Sequence, residues 1–510
     1  MTAPDTLEHL LARGDAAAPA IAAPGRPALD RAGLLRLVAS TGESLRGLGI
    51  APDDVVALLL PNGPEAATAF LGVAANAASA PLNPAYTEAE LAFYLDDLGA
   101  SLLLVPEGEG DAARRVAVAR GIPVADVSVD AGSAAGSFRL RGERQAAARS
   151  ETKNDRPAGL ALILHTSGTT SRPKMVALTQ RNLCASAANV ASSLALGPDD
   201  RCLNVMPLFH IHGLVAAVLA SLHAGGSVFC APGFNALRFF AWLEESRATW
   251  YTAVPTIHQA VLDRAPRNAE IVERVRLRLV RSSSSALAPQ VMARLEEAFR
   301  APVIEAYGMT EAAHQMTSNP LPPRGRKPGS VGVAAGPEVA IMDGAGRLMP
   351  PGETGEVVIR GSNVTGGYLA DPQANASAFA EGWLRTGDQG WIDEDGYLRL
   401  TGRLKEIINR GGEKISPREV DEALLDHPAV AQAVTFALPD EKLGEEVGAA
   451  IVLRDGAAAT ESEIRDFVRG RLAAFKVPRR VVFVAEIPQG ATGKMQRIGL
   501  AEKLGLVEKA

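Results

Sequence analysis

Cysteine, excess positive charge and long apolar runs are all scarce in this chain of 510 residues. The three cysteines, Cys184, Cys202 and Cys230, show no metal-ligand spacing, which predicts buried free thiols in a reducing compartment. A formal net charge of −6 argues against binding nucleic acid or anionic lipid through a basic face. No apolar run reaches the roughly 20 residues of a membrane span, and the N-terminus lacks the basic and apolar regions of a signal peptide. We therefore expect a soluble cytoplasmic protein with no nucleic-acid or membrane partner; the oligomeric state is unknown from the sequence.

The chain does contain a regular alternation of apolar runs and amphipathic stretches. VVALLLP (55–61) and SLLLVP (101–106) are typical of buried strands, and EAATAFLGVAANAAS (65–79) between them is typical of a helix. This alternation predicts helices packed over a largely parallel sheet. The segment 107–158 is rich in Ala, Gly, Arg and Asp, and we interpret it as a variable surface region. With 47% hydrophobic and 22% charged residues, the composition is that of a globular enzyme with more than one domain.

The pattern changes past residue 340. EVAIMD, GETGEVVIRG and GYLRLTG are short strand-like runs separated by Gly and Pro turns, and they predict a small β-rich subdomain. From PREVDEALLDHP (417–428) onwards, a helix, two strands and a second helix follow one another. This last part has the length and pattern of a compact α+β unit with its own core.

The stretch TSGTTSRPK (166–174) has the hydroxyls, glycine and lysine of a phosphate loop, but it does not match a Walker loop. The second glycine is missing, and Met175 replaces the hydroxyl residue that would hold magnesium. ALILH (161–165) and MVALT (175–179) on either side are strand-like, with Thr179 as the N-cap of a later helix. The loop therefore lies between two strands and offers phosphate its backbone N–H groups and hydroxyls. On this stretch alone, a surface loop rich in Ser and Thr remains an open alternative.

Four further motifs are each weak by themselves. YGMTE (307–311) places a carboxylate beside a hydroxyl, which suits Mg²⁺ and phosphate, although a helix start explains it equally well. WLRTGD (383–388) puts an aspartate in a turn after a strand, where it can accept from ribose hydroxyls or form an Asx-turn. GRLKEIINRGGEKISP (402–417) and PQGATGK (488–494) complete the set. The order of the five motifs is much more specific than any one of them.

In this order the motifs resemble those of the adenylate-forming superfamily, which includes acyl-CoA synthetases, firefly luciferases and nonribosomal-peptide adenylation domains. The resemblance covers nearly the whole chain. It implies an α/β fold in which a large N-terminal domain of layered sheets and helices, with the β-rich subdomain, spans 1–404. A small mobile α+β C-terminal domain spans 405–510, and Lys405 is the hinge. The implied reaction has two halves: a carboxylate attacks the α-phosphorus of ATP to form an acyl-AMP, and the thiol of coenzyme A then displaces AMP.

The resemblance also implies a nucleotide site. The β- and γ-phosphates would lie against six loop residues, namely Thr166, Ser167, Gly168, Thr169, Thr170 and Lys174. Tyr307 would stack on adenine, while Asp388 and Arg403 would bind the ribose hydroxyls. Thr310 would contact the α-phosphate, and Glu311 would hold Mg²⁺.

Two anions meet in the first half-reaction, so catalysis must be mainly electrostatic and positional. The resemblance gives this task to Lys494, which would bridge the acid and the α-phosphate with a compact charge on a flexible stem. The small domain would then rotate between the two halves. In the second half, Gly411 and Gly412 would admit the pantetheine of coenzyme A because they lack Cβ, and Lys414 would serve this step or be a surface lysine.

Two departures from the family pattern stand out. PQGATGK differs from the more common Pro-Lys-Thr opening and lacks one positive charge, and Met175 stands where a glycine is usual. Both could alter loop geometry, but neither removes a catalytic group.

Two further stretches bear on the acid. MPLFHIHGL (206–214) resembles the family's wall between the acid and thiol sites, so His210 would gate the acid pocket, whereas His212 is equally well a core histidine. RSSSSALAP (281–289) resembles the strand that lines the adenine and acyl sites, and it carries Ser283, Ser284 and Ser285 where many relatives with apolar acids have glycine and alanine. His314 follows three residues after Glu311. A pocket with these polar groups disfavours a long alkyl chain, because its buried donors would be left unpaired.

The sequence around YGMTE, KPGSVG and NVTGGY most resembles the oxalate–CoA ligases of plants and fungi. In that group, the serine and histidine that match Ser284 and His314 are placed near the second carboxylate. The resemblance therefore implies a ligase that uses oxalate, ATP, Mg²⁺ and coenzyme A. The alternatives are a malonate or other short- or medium-chain acyl-CoA ligase, a stand-alone amino-acid adenylating enzyme, and a non-catalytic nucleotide-binding sensor.

Overall fold

Two large, mainly parallel sheets form most of the N-terminal part of the chain. The computed structural model describes residues 4–143, 156–166, 173–488 and 497–507. The first sheet has nine strands, in edge-to-edge order Val333–Ala334, His314–Ser318, Val303–Met309, Leu279–Ser282, Trp250–Ala253, Arg201–Asn204, Ser227–Cys230, Pro19–Ala23 and Arg26–Asp30. The second has eight, in order Tyr368–Leu369, Lys174–Thr179, Leu160–Thr166, Ala78–Pro81, Val55–Leu58, Leu102–Pro106, Val124–Ser128 and Arg139–Arg141.

The inner strands of both sheets run parallel, and antiparallel strands close the edges. Parallel sheets are covered on both faces, so their strands are apolar throughout rather than alternating. Val55–Leu58 and Trp250–Ala253, for example, are buried at every position. The predicted parallel sheet is therefore confirmed, and it occurs twice.

Helices lie between the sheets and on their outer faces. In the N-terminal part they are Leu7–Leu11, Arg31–Gly47, Pro64–Ala74, Glu88–Leu98, Asp111–Val118, Gln180–Ser193, the π-helix His212–Leu219 with Ala220–His223, Phe239–Ser246, Pro255–Arg264, Ala269–Arg274, Pro289–Phe299 and Pro372–Ala378, with 3₁₀ turns at Ala265–Asn268 and Thr310–Ala312. Pro64–Ala74 and His212–Leu219 are buried on all sides, and both contribute to one core shared by the two sheets. A helix that is apolar all round belongs in such a central layer.

The β-rich subdomain is an antiparallel sheet. Its strands are Glu338–Met342, Gly355–Arg360, Trp383–Ile392, Phe379–Ala380 and Leu398–Arg403. This arrangement confirms the short strands predicted past residue 340.

The C-terminal unit has its own sheet and core. Its strands are Glu413–Ile415, Ile408–Arg410, Gly444–Leu453, Val430–Asp440 and Arg480–Phe483, and its helices are Pro417–Leu425, Glu461–Arg469, the 3₁₀ turn Ala474–Lys476 and Leu500–Lys503. Leu425 packs against the cores of both parts of the chain. Arg418 donates to the carbonyl oxygen of Gly329 at 3.4 Å, so the helix Pro417–Leu425 forms part of the contact between them.

The α/β fold class expected from the resemblance is confirmed. Thr179 caps the helix Gln180–Ser193 as predicted, because its side chain accepts from the N–H of Asn182. The three cysteines are buried and unpaired. In the described part of the chain, no helix combines the length and the apolar character that crossing a bilayer requires.

One local prediction was wrong. The helix expected over 65–79 ends at Ala74, because Ala78–Pro81 is a strand paired with Val55–Leu58. The segment 107–158, predicted as a variable surface region, contains in its described part the helix Asp111–Val118 and the strands Val124–Ser128 and Arg139–Arg141. The strand Val124–Ser128 extends the parallel sheet, and long-range pairing therefore overrode a local composition rich in Ala and Gly.

Candidate active site

Tyr307, Asp388 and Arg403 form one cluster at the junction of the N-terminal part and the β-rich subdomain. The hydroxyl of Tyr307 donates a short hydrogen bond to Oδ2 of Asp388. Nε of Arg403 lies 3.2 Å from Oδ1 of the same carboxylate. Burial, and then the charge of Asp388, raise the pKa of Tyr307 well above its usual value, so this phenol stays protonated. Asp388 in turn raises the pKa of Arg403.

Strand pairing brings this cluster together. Asp388 lies within the strand Trp383–Ile392 and pairs directly with Arg403 in the neighbouring strand. The turn predicted for RTGD is therefore corrected to a continuous strand, with Gly387 at φ 73° and a register irregularity one residue beyond Asp388. Asp388 is buried in this strand, and its carboxylate lies against the hydroxyl of Tyr307.

Glu311 and Lys174 both contact the side chain of Tyr368. Oε1 of Glu311 accepts from the hydroxyl of Tyr368 at 2.9 Å, and Nζ of Lys174 lies 4.6 Å from the centre of the same ring. Thr365 donates its N–H to the carbonyl oxygen of Glu311 at 2.7 Å and its hydroxyl to that of Ala177 at 2.6 Å. These contacts tie the YGMTE segment to the strand that follows the phosphate loop.

The donor set at Glu311 fits a magnesium ion. Its carboxylate is 6% exposed and offers the oxygen ligands that Mg²⁺ prefers. Mg²⁺ at nucleotide sites is usually held by one or two carboxylates together with phosphate oxygens and water. A carboxylate near the phosphate-loop lysine is compatible with that arrangement.

Met175 has a packing role. It pairs with Leu369 across the strands Lys174–Thr179 and Tyr368–Leu369, and both side chains pack on the cluster beneath that sheet. A glycine here would remove that contact, so the departure from the family pattern fills the space with a side chain.

Backbone strain marks the turn between YGMTE and His314. Ala313 and His314 have φ of 47° and 101°, which non-glycine residues rarely adopt. A Cβ on Gly308 would lie 1.7 Å from the carbonyl oxygen of His314, so only glycine fits beneath this turn. Strained backbone that the surroundings enforce is concentrated at functional sites.

His314, His212 and Ser284 lie close together in the structure. The His212 and His314 rings are 5.0 Å apart, and Nδ1 of His212 lies 3.0 Å from Oγ of Ser284. Nε2 of His212 lies 2.6 Å from Oγ1 of Thr252. Between the two alternatives for His212, the structure thus shows a buried histidine bonded to side-chain hydroxyls.

Arg281 lies fully buried against this group. It donates to Thr252 at 3.3 Å, to Nδ1 of His314 at 3.5 Å and to the amide oxygen of Gln315 at 3.2 Å. Burial lowers the pKa of Arg281 to about 9, which leaves the guanidinium charged at neutral pH.

The structure also describes four other predicted site residues of the N-terminal part, Ser283, His210, Thr310 and Thr166. Ser283 is buried and donates to the carbonyl oxygen of Ala306 at 3.0 Å, which holds two strands together. His210 is half-buried, and its Nδ1 accepts from the N–H of His212 at 3.3 Å. Thr310 begins the 3₁₀ turn beside Glu311, and Thr166 closes the strand opposite Lys174.

The glycine pair of the small unit forms a tight hairpin turn. Gly411 and Gly412 have φ of 58° and 96° and join the strands Ile408–Arg410 and Glu413–Ile415. A two-residue hairpin loop with both φ positive strongly favours glycine, so the turn alone accounts for this pair. Lys414, in the second strand, is exposed, as is Lys405. Their roles in thioester formation and in the hinge stay predictions.

Five predicted site residues lie outside the described residues. They are Ser167, Gly168, Thr169, Thr170 and Lys494.

Sequence reasoning missed three residues of the site, namely Arg281, Thr252 and Tyr368. Arg281 could have been noticed, because this charged residue directly follows the apolar pair Leu279 and Val280 in a strand-like stretch. Tyr368 carried a signal as well, in the motif NVTGGY. Thr252 follows Tyr251 in an apolar strand and carried none.

Comparisons with known proteins agree with this geometry. A family model described as AMP-binding enzyme matches residues 14–369, and one described as AMP-binding enzyme C-terminal domain matches residues 419–494. The oxalate–CoA ligase of Arabidopsis thaliana is 50% identical over 456 residues, covering 88% of each chain. The oxalate–CoA ligase of Saccharomyces cerevisiae is 43% identical over 473 residues, covering 88% of this chain and 86% of the yeast protein.

A solved structure shares the whole architecture. ATP-bound MatB from Rhodopseudomonas palustris matches 99% of this chain and 100% of its own, with a TM-score of 0.88 and 29% identity. The chain belongs to the AMP-binding enzyme family.

Proposed function

We propose that the protein is an ATP-dependent oxalate–CoA ligase that converts oxalate, ATP and coenzyme A into oxalyl-CoA, AMP and pyrophosphate. The observation that carries the proposal is a chain of polar contacts that we place at the acid end of the site. Arg281 contacts His314, the rings of His314 and His212 lie 5.0 Å apart, and His212 contacts the partly buried Ser284. Such a group suits a short acid with a second carboxylate and penalises an alkyl chain. The two related oxalate–CoA ligases support the same substrate.

In the first half-reaction, the chain's residues position two anions. Asp388, fixed by Tyr307 and Arg403, binds the ribose diol, and Tyr307 lies against adenine. Lys174 and Thr310 contact the phosphates. Lys494 supplies a positive charge between the attacking carboxylate and the α-phosphorus, where charge density rises in the transition state.

Glu311 is the residue we propose for Mg²⁺. Its carboxylate accepts from the hydroxyl of Tyr368, and its backbone carbonyl oxygen accepts from the N–H of Thr365. The ion supplies charge neutralisation for the phosphate oxygens when bound. Tyr368, as the donor to Glu311, orients the carboxylate toward that task.

In the second half-reaction, AMP is displaced by the thiol of coenzyme A. We propose that the small domain rotates about Lys405, that Lys414 and the hairpin Gly411–Gly412 then face the thioester site, and that His210 gates the acid pocket. A change of domain orientation of this kind exchanges the groups near the reacting atoms.

A malonate or other short diacid ligase is the second candidate. Arg281 and the donors Ser284 and His314 would serve the distal carboxylate of malonate as well. The length of the pocket, and not its charge, therefore decides whether the enzyme prefers oxalate or malonate.

The test is AMP release by the purified protein with ATP, magnesium and coenzyme A across oxalate, malonate, acetate, octanoate and benzoate. We expect the highest kcat/KM for oxalate. A preference for octanoate or benzoate would contradict the proposal, and a preference for malonate would establish the second candidate instead.

A further inference from the structure

Arg281 is a buried cation that has no carboxylate partner among the residues that the structure describes. Its side chain is fully buried, and within the described part of the chain its contacts are the hydroxyl of Thr252, Nδ1 of His314 and the amide oxygen of Gln315. Its Nε has no hydrogen-bond partner among the described residues. A buried charge without a counter-charge is energetically costly. A bound anion near Arg281 would supply that counter-charge.

The hydrogen bonds that start at Arg281 have a defined direction. A guanidinium can only donate, so Oγ1 of Thr252 accepts from it. Thr252 is fully buried, and its other side-chain partner in the described residues is Nε2 of His212 at 2.6 Å. A buried hydroxyl needs an acceptor for its proton, so Thr252 donates to Nε2 of His212.

This direction decides what Ser284 can do. When Nε2 of His212 accepts, a neutral imidazole carries its proton on Nδ1. Nδ1 then donates to Oγ of Ser284 at 3.0 Å. Ser284 therefore keeps its own hydroxyl proton to donate to a further acceptor.

A second hydrogen bond from Arg281 makes His314 a donor as well. Nδ1 of His314 accepts from Arg281, so the neutral ring carries its proton on Nε2 and is a donor there. The rings of His212 and His314 are only 5.0 Å apart. Both branches thus end in a donor, and two donors can serve the two oxygens of one carboxylate.

We propose that Arg281 and Thr252 form a relay of positioning residues that makes Ser284 and His314 hydrogen-bond donors and selects acids with a second carboxylate. The proposal rests on the proposed function, because it assumes that the acid lies against Ser284 and His314. Arg281 and Thr252 act through those residues and through the positive charge behind them.

The test compares Thr252→Val with Thr252→Ser. Valine keeps the shape but removes the hydroxyl, which breaks the branch to Ser284. We expect the KM for oxalate to rise about ten- to a hundredfold while the KM for ATP stays within twofold. The ratio of oxalate to acetate kcat/KM falls with it. Thr252→Ser, which restores the hydroxyl, is expected to recover most of the lost affinity.

A matched control removes a buried hydroxyl elsewhere. Thr41 is 2% exposed and bonds the carbonyl oxygen of Leu37 within the helix Arg31–Gly47, so Thr41→Val tests the effect of losing such a bond outside the site. We expect its KM values for oxalate and ATP to match those of the wild type.

A double-mutant cycle gives an independent readout. Thr252 and Ser284 lie on one branch, so the combined effect of Thr252→Val and Ser284→Ala on the oxalate KM should be smaller than the product of the single effects. Multiplicative effects would overturn the relay, as would an unchanged oxalate KM in Thr252→Val or equal changes in both substrates. If the wild type itself prefers an acid without a second carboxylate, the proposed function fails, and that result is visible before any variant is made.

Discussion

Glu305 offers a quantitative test of the packing between the two parts of the chain. Its carboxyl is 1% exposed in the strand Val303–Met309, and Oε1 accepts from the N–H of Leu287 at 2.9 Å. Oε2 has no hydrogen-bond partner among the described residues. Burial raises the pKa of Glu305 from 4.5 to about 7, and the nearby Arg418 of the C-terminal unit opposes this rise.

The sign and size of the effect follow from this shift. A carboxyl whose pKa is raised by folding stabilises the protein fully below the unfolded pKa, and this stabilisation is lost as pH rises through the folded pKa. The window here runs from pH 4.5 to about 7. Since one pKa unit corresponds to about 1.4 kcal/mol, the loss between pH 5 and 8 is about 2 to 3 kcal/mol. Glu305→Gln removes the titration, so the stability of this variant relative to the wild type should increase by that amount.

The assay is chemical denaturation of the wild type and Glu305→Gln at pH 5, 6, 7 and 8, with the difference in unfolding free energy plotted against pH. The matched control is Glu297→Gln, which makes the same substitution at an exposed residue on the helix Pro289–Phe299. Arg418→Met should move the transition of Glu305 to higher pH, because Arg418 lowers the pKa of Glu305. A difference between Glu305→Gln and the wild type that stays constant from pH 5 to 8 would refute the reasoning.

Two further predictions concern catalysis. Asp388→Asn should raise the KM for ATP about ten- to a hundredfold, because it removes the negative charge that Tyr307 and Arg403 hold in place. The KM for oxalate should change little. An unchanged KM for ATP would show that Asp388 does not belong to the nucleotide site. Lys494→Ala should slow pyrophosphate exchange about a hundredfold or more yet spare thioester formation from supplied oxalyl-AMP. Equal losses in both half-reactions would contradict a rotating small domain.

Much of the fold was predictable because its signals are local. The uninterrupted apolar runs of the parallel strands, the cap at Thr179 and the short strands past residue 340 depend on neighbours in the chain. The predicted helix over 65–79 extended too far because Ala78–Pro81 is held as a strand by pairing with Val55–Leu58, a long-range contact that overrides local propensity.

The site was predictable only in part. The motif residues Tyr307, Asp388 and Arg403 do lie together, although Asp388 belongs to a strand and not to a turn. Tyr368 was not predicted as a site residue because its partner Glu311 is 57 residues away in the sequence. Thr252 was not predicted as a site residue because a threonine in an apolar strand is usually a β-branched packing residue.

The sequence by itself determined the succession of strands and helices, the order of the five motifs and, with these, membership of an adenylate-forming group. The strands and helices follow from side-chain periodicity, and the membership follows from the resemblance of the ordered motifs to those of a known family. Only the tertiary structure decided that Arg281 lies against Thr252 and His314, from which it is separated by 29 and 33 residues. That contact depends on which strands are neighbours in a nine-stranded sheet, and it leaves Arg281 fully buried.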